Sequence, residues 1–309
     1  MPSKGKPLIL IVGPTAVGKT ALSLALAERF GGEIVSADSR QIYRCMDIGT
    51  AKATREEQSR VPHHLLDVAS PDEWYTVAQF QDAAMQAITE IHARGRLPFL
   101  VGGSGLYVRA VAEGLQIPRI PPSPELRAEL EAVQPDALAE RLRALDPDAA
   151  ARIDPRNVRR VIRALEVCLL ARQPISEQQT RSGPDFSMLW VGLTLPRPEL
   201  YQRIDARVDC MMESGLVDEV RALAAHGYSW DAPAMTGVGY RQIGAHLRGE
   251  CSLQDAVQEI KRATRRFVRQ QSNWFRLADP RIHWFQSDAL AERSAAAVIE
   301  RFLRSDSTS

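Results

Sequence analysis

Between Pro7 and Gly13 the chain reads PLILIVG, an apolar run of strand length closed by glycine. Apolar residues at every position predict a strand buried on both faces of a parallel sheet. The segment TALSLALAERFG that follows spaces its apolar residues for a helix, which Gly31 stops. EIVSAD predicts a second strand, TVAQFQDAAMQAITEIHARG a helix, and LPFLVGGSG a third strand. Strands alternating with helices predict an α/β fold, a parallel sheet flanked by helices. Near residue 118 the pattern changes: IPRIPPSPE is rich in proline, and the chain then runs to about 189 in helical patterns without a strand. The expected organisation is a core from residues 1–117 and 190–309, interrupted by an all-helical insertion over 118–189. LWVGLTLP returns the chain to the sheet, helices dominate thereafter, and residues 305–309 are expected to fray.

At 309 residues, 45% of them hydrophobic and 25% charged, the chain has the composition of a globular protein with a sizeable core. No apolar run approaches the roughly 20 residues of a membrane span, and no signal segment precedes the first strand, so the expected compartment is the cytoplasm. Cys45, Cys168, Cys210 and Cys251 lie far apart, without metal-ligand spacing, and are read as free thiols. A formal charge of +1 does not point to nucleic acid, but its distribution does. KRATRRFVRQQSNWFR, Lys261 to Arg276, holds six basic residues and no acid, with Arg262, Arg265, Arg266 and Arg269 on one helical face. A second basic cluster, RNVRRVIRALE, begins at Arg156.

GPTAVGKT supplies the pattern G-x-x-x-x-G-K-[ST] at Gly13, Gly18, Lys19 and Thr20, between an apolar strand and a helix. Its backbone amides and helix N-terminus attract phosphate oxygens, Lys19 adds charge, and the Thr20 hydroxyl can ligate Mg²⁺ directly or through water. The core is therefore expected to be P-loop NTPase-like. Asp38, at the carboxyl end of the second strand, is a candidate general base, metal ligand or cap of a helix starting at Ser39. After the third strand, VGGSGLY offers Ser104 among three glycines where a nucleotide hydrolase would usually place an acid. Arg203 and Arg207 fall one helical turn apart and can reach a phosphate or pair with Asp205 or Asp209.

Taken in order, GPTAVGKT, SADSRQIY, GGSGLY, RRVIRALE, TGVGYRQI and RQQSNWFR closely resemble the motifs of the bacterial tRNA dimethylallyltransferases, also called tRNA isopentenyltransferases, over nearly the whole chain. The resemblance implies transfer of a dimethylallyl group from dimethylallyl diphosphate to N6 of the adenosine 3′ of the anticodon, in tRNAs reading codons that begin with U, with diphosphate released. It implies Asp38 as base, Ser104 and Arg207 as catalytic partners, and diphosphate held by Gly13, Thr15, Ala16, Val17, Gly18, Lys19 and Thr20, with Mg²⁺ near Thr20. It assigns tRNA contacts to Asp38, Ser39, Arg40 and Gln41, to Arg159, Arg160 and Arg163, to Tyr240, Arg241 and Gln242, and to Arg269, Gln271 and Trp274. The insertion would grip the anticodon stem-loop, and the enzyme is expected to be a monomer needing no protein partner and no membrane.

The chain departs from the family pattern at Ser104, where threonine is common, and at Gln270, which replaces an arginine. Three other functions share some of these features. A small-molecule kinase would place ATP in the loop, a related prenyltransferase would act on free adenine nucleotides, and an RNA-binding module would use the loop as a switch. The basic clusters favour tRNA over the first two. A switch would leave Asp38 and Ser104 without a task.

Overall fold

The computed structural model describes residues 5–178, 183 and 186–307. By the density of its internal contacts the chain divides into two compact units, one of Met1–Tyr75, Asp82–Val108 and Asp185–Ser309, the other of Thr76–Gln81 and Arg109–Pro184. In chain order the elements are β1 (Lys6–Val12), α1 (Lys19–Phe30), β2 (Gly32–Ser36), α2 (Arg55–Arg60), β3 (His63–His64), α3 (Val77–Ala93), β4 (Leu97–Gly102) and α4 (Gly105–Ala112). Helices α5 (Pro124–Glu131), α6 (Pro135–Leu145), α7 (Pro147–Arg152), α8 (Val158–Ala171) and α9 (Ile175–Gln178) follow. The chain then forms β5 (Phe186–Thr194), α10 (Arg197–Glu213), α11 (Leu216–Ala225), α12 (Tyr240–Leu247), α13 (Leu253–Gln271), β6 (Ile282–Gln286) and α14 (Ala291–Ser307).

The six strands form one all-parallel sheet in the order β3-β2-β4-β1-β5-β6. The most apolar strand lies at its centre: Leu8 to Val12 of β1 are fully buried, with Ile9 opposite Phe99 of β4 on one side and Leu189 of β5 on the other. Helix α1 adds Leu22, Leu24 and Leu26 to this core, and α14 adds Ala295, Ala296 and Ile299. Burying a Leu or Ile side chain is worth roughly 1.5–3 kcal/mol, so this packing holds the loops at the strand ends rigidly. A second cluster joins Ile42, Tyr43 and Met46 to Val208, Leu216, Val220, Tyr240, Ile243 and Ile260.

The second unit has its own core of Leu138, Leu142, Val161, Leu165 and Val167. At its centre the Glu166 carboxylate is fully buried and accepts from Arg127 at 2.9 Å, Arg163 at 2.5 Å and the Ser123 amide at 2.7 Å. Burial pulls the Glu166 pKa up, but these hydrogen bonds outweigh it and hold the group below the usual carboxylate range.

The last third of the chain, where helices dominate, also holds a strand that the sequence did not signal: Ile282–Gln286 forms β6, parallel to β5 with Trp190 opposite Ile282. Its mixed polarity, IHWFQ on an edge, gave no buried-strand signal. Helix α14 continues through Ser307 where fraying was expected, and residues 308–309 lie outside the described ones. No helix starts at Ser39: residues 39–42 form turns, in which the Asp38 carboxylate accepts from the Arg40 amide at 2.8 Å.

Candidate active site

The phosphate loop joins β1 to α1. Gly18 stands at φ 102°, a left-handed conformation that costs glycine nothing, and offers no side chain to cap α1. The first helical amides are therefore available to an anion. Val17 is fully buried, so the loop presents backbone rather than side chain at that position, and Thr20 is exposed in the first turn. The Lys19 ammonium curls back onto the loop, donating to the Gly13 carbonyl at 3.0 Å and the Pro14 carbonyl at 2.7 Å. Desolvation lowers its pKa to about 8; Asp38 pushes it up and Arg207 pushes it down.

Asp38 lies two residues past β2, and Ser104 two past β4. Because these strands are neighbours, their carboxyl ends meet: the Ser39 amide donates to the Ser104 hydroxyl oxygen at 3.1 Å, and that hydroxyl reaches Ser39 Oγ at 3.4 Å. The approach requires Gly102, where a Cβ would stand 2.1 Å from the Ala37 carbonyl oxygen. In this arrangement the Ser104 hydroxyl serves Ser39 and so steadies the turn that carries Asp38. Gln41 is likewise tied down, accepting from Ser36 Oγ and donating to the Thr50 and Ala51 carbonyls.

Two cavities meet at this point. One, of about 370 Å³, is lined by the loop residues Thr15, Ala16, Gly18, Lys19 and Thr20 with Asp38, Gln41, Glu57, Arg203 and Arg207. The other, of about 250 Å³, has largely apolar walls from Ile204, Val208, Met211, Val238, Ile260 and Phe267. Thr15, Asp38 and Arg207 line both. Burial lowers the Arg207 pKa and Asp38 opposes the shift, but a guanidinium remains charged at any physiological pH. A cation and a carboxylate thus stand where a polar, phosphate-sized chamber opens into an apolar one. An apolar channel is what a prenyl group requires, but its lining could not be read from sequence: the walls come from α10, α13 and the approach to α12, and Phe267, an aromatic within the basic stretch, was the one local hint.

The arginines divide by role. Asp205 and Asp209, weighed as partners of Arg203 and Arg207, pair instead with Arg265 and Lys261. Arg203 reaches Glu199 at 3.0 Å and Ser287 Oγ at 3.2 Å. On α13, Arg262, Arg266 and Arg269 remain exposed, Arg269 donating to the Tyr201 hydroxyl. Arg159 and Arg160 are exposed at the head of α8, whereas Arg163 is engaged with Glu166 and the Ile120 carbonyl.

Several residues expected to touch RNA turn inward. Arg40 donates to the Pro233 carbonyl at 2.9 Å. Tyr240 is 1% exposed and donates to Glu219 at 2.5 Å, with burial and that carboxylate driving its pKa far up. Glu219 in turn accepts from the amides of Asp47, Ile48 and Gly49, pinning the segment that places Gly49 and Thr50 on the apolar chamber. Gln242 is buried and accepts from the Gly239 amide, while Arg241 beside it is exposed. Gln271 is buried, and Trp274 packs on Gly105, where a Cβ would come within 2.2 Å of the indole.

The donor set also tests the expected Mg²⁺. Among the described residues no group of three or more His, Cys, Asp or Glu side chains is placed to hold a metal ion. Mg²⁺ in phosphate sites keeps several waters and takes few protein ligands, so the exposed Thr20 hydroxyl on the polar chamber would suffice as the protein's share in holding such an ion.

Comparison with known proteins agrees with this geometry. The model of the IPP transferase family matches residues 41–278. The chain belongs to that family. A tRNA dimethylallyltransferase of Roseiflexus sp. (strain RS-1) is 52% identical over 96% of this chain and 98% of its own, and one of Thermomicrobium roseum 51% identical over 99% and 94%. The crystal structure of the tRNA isopentenylpyrophosphate transferase of Bacillus halodurans matches with a TM-score of 0.74 at 43% identity, covering 98% of each chain. A eukaryotic dimethylallyltransferase captured acting on tRNA matches with a TM-score of 0.83 at 28% identity, over 97% of this chain and 80% of its own. IPP transferase membership thus accompanies a phosphate loop, an apolar chamber and an aspartate between them.

Proposed function

We propose that this chain transfers the dimethylallyl group of dimethylallyl diphosphate to N6 of the adenosine just 3′ of the anticodon, in tRNAs reading codons that begin with U, and releases diphosphate. The observation that carries the reading is the junction of the two cavities, with Asp38 and Arg207 on both sides of it, in a member of this family. The loop amides, Lys19 and Arg207 hold the diphosphate. The apolar chamber shelters the prenyl tail and the entering adenine, a base that must leave its stack to be reached. N6 attacks the allylic carbon, the carbon–oxygen bond breaks, its electron pair leaves with the diphosphate, and Asp38 takes the N6 proton. Cations fixed at the departing oxygens stabilise the charge that develops there. Thr20 would hold Mg²⁺, which when bound supplies further neutralisation of that charge.

Arg159 and Arg160 on α8 present exposed cations, and we assign to them phosphates of the anticodon stem-loop, gripped by the helical unit; in the first unit Arg241, Arg262, Arg266 and Arg269 are likewise exposed and are assigned RNA phosphates of their own. Among the described residues no helix is long and apolar enough to cross a membrane, and with a tRNA substrate this supports a cytoplasmic enzyme, which we take to act as a monomer. The test is an assay with labelled dimethylallyl diphosphate, Mg²⁺ and unmodified tRNA, beside tubes offering adenosine monophosphate or ATP with hydroxyl acceptors. Label at N6 of the adenosine following the anticodon establishes the reading; label in the monophosphate alone, or γ-phosphate transfer, overturns it.

A further inference from the structure

Gln271 closes α13, the helix that carries the exposed arginines, yet it is 3% exposed, flanked by exposed Gln270 and Ser272. Its side-chain oxygen accepts from the Thr15 amide at 2.9 Å, and its side-chain nitrogen donates to the Gly103 carbonyl at 3.0 Å. The backbone partners fix which end of the amide is which, since an N–H can only donate and a carbonyl only accept. Thr15 belongs to the phosphate loop and lines both cavities. Gly103 precedes Ser104, whose hydroxyl holds the Ser39 amide next to Asp38. One amide therefore stands between the loop that grips the leaving group and the turn that carries the base. The fit is close: a Cβ on Gly103 would lie 2.4 Å from Gln271 Nε2.

We propose that Gln271 is a positioning residue, whose side-chain amide sets the phosphate loop and the Gly103–Ser104 turn in register for the diphosphate substrate and which does not itself contact RNA. The inference rests on the prenyl-transfer reading for its substrate and on the structure for its geometry. Only an amide supplies an acceptor and a donor from one planar group of this length. Glutamate at this position keeps the shape, loses the donor to Gly103 and sets a negative charge beside an anion site. Alanine loses both bonds.

The experiment uses the full chain and its Gln271→Glu, Gln271→Ala and Gly103→Ala variants. Inorganic diphosphate binding is read by calorimetry, anticodon stem-loop binding by fluorescence anisotropy, and KM for each substrate and kcat from the transfer assay. Removing a buried hydrogen bond and adding a charge should weaken diphosphate binding and raise KM for dimethylallyl diphosphate about ten-fold or more in Gln271→Glu. Stem-loop affinity should stay within about two-fold. Gly103→Ala breaks the same link from its other side, so the double variant Gln271→Ala/Gly103→Ala should be no worse than the poorer single one. Unchanged diphosphate affinity, with either weakened stem-loop binding or only a lowered Tm, would overturn the proposal, as would additive losses in the double variant. A wild-type chain that binds diphosphate but prenylates no tRNA would instead sink the functional reading, leaving the diphosphate comparison to judge Gln271.

Discussion

Asp38→Asn isolates the proton-accepting role from the architecture around it. The wild-type carboxylate accepts from the Arg40 amide at 2.8 Å, and an asparagine carbonyl accepts the same bond, so the turn from Asp38 to Gln41 keeps its shape. What is lost is the charge and the ability to take a proton from N6. General base catalysis contributes typically 10²–10⁴-fold, equivalent to about 3–5 kcal/mol of barrier. A secondary effect must be kept out of the measurement. Asp38 holds the Lys19 pKa up, so without it that pKa falls below about 8 and the lysine begins to lose charge at lower pH. The comparison belongs near pH 6.5–7, on the protonated side of the transition, in single-turnover transfer with both substrates saturating. We expect the rate to fall at least about 100-fold, with stem-loop affinity and Tm close to wild type. A rate within about ten-fold of wild type, or a loss matched by equal losses in RNA affinity, would refute the assignment of Asp38 as base.

The Lys19 pKa of about 8 also gives diphosphate binding a pH dependence with a definite sign. Lys19 is charged below that pKa, so the affinity advantage of wild type over Lys19→Met should be constant below about pH 8 and shrink above it; calorimetric titrations from pH 7 to 9.5 would show this, and an advantage that does not change refutes it. In the second unit, Arg163→Ala removes one partner of the fully buried Glu166 and should cost about 1–3 kcal/mol of stability, read as a lowered Tm. Arg159→Ala and Arg160→Ala should spare Tm, weaken stem-loop binding and each lower the slope of log affinity against log salt by about one. Identical behaviour of all three arginine variants would overturn the division between them.

The phosphate loop could be read from sequence because the chemistry is local: eight consecutive residues carry the amides, the lysine and the hydroxyl, and the flanking strand and helix announce themselves by period. Asp38 was readable for the same reason, lying just beyond a buried strand. Gln271 and Tyr240 were recognised as motif residues and assigned RNA contacts by resemblance, but a motif does not reveal which way its side chains point. Gln271 faces Thr15 across 256 positions of sequence, and Tyr240 faces Glu219 across 21; such pairings exist only after packing. The edge strand β6 escaped because it is half exposed and carries no apolar run. The resemblance grouped Arg163 with Arg159 and Arg160, and it does share their helical face, but one turn further along α8 it meets Glu166 and the Ile120 carbonyl, partners that exist only after packing.

Every residue lining the two cavities comes from the first unit, while the larger part of the second unit leaves the chain at Arg109, after the Ser104 turn, and ends at Pro184, before β5 begins. In evolutionary terms the scaffold is modular. The segment between α4 and β5 contributes no strand to the sheet and no residue to the phosphate loop. A lineage can therefore vary α8 and its neighbours while the residues that line the two cavities are inherited intact.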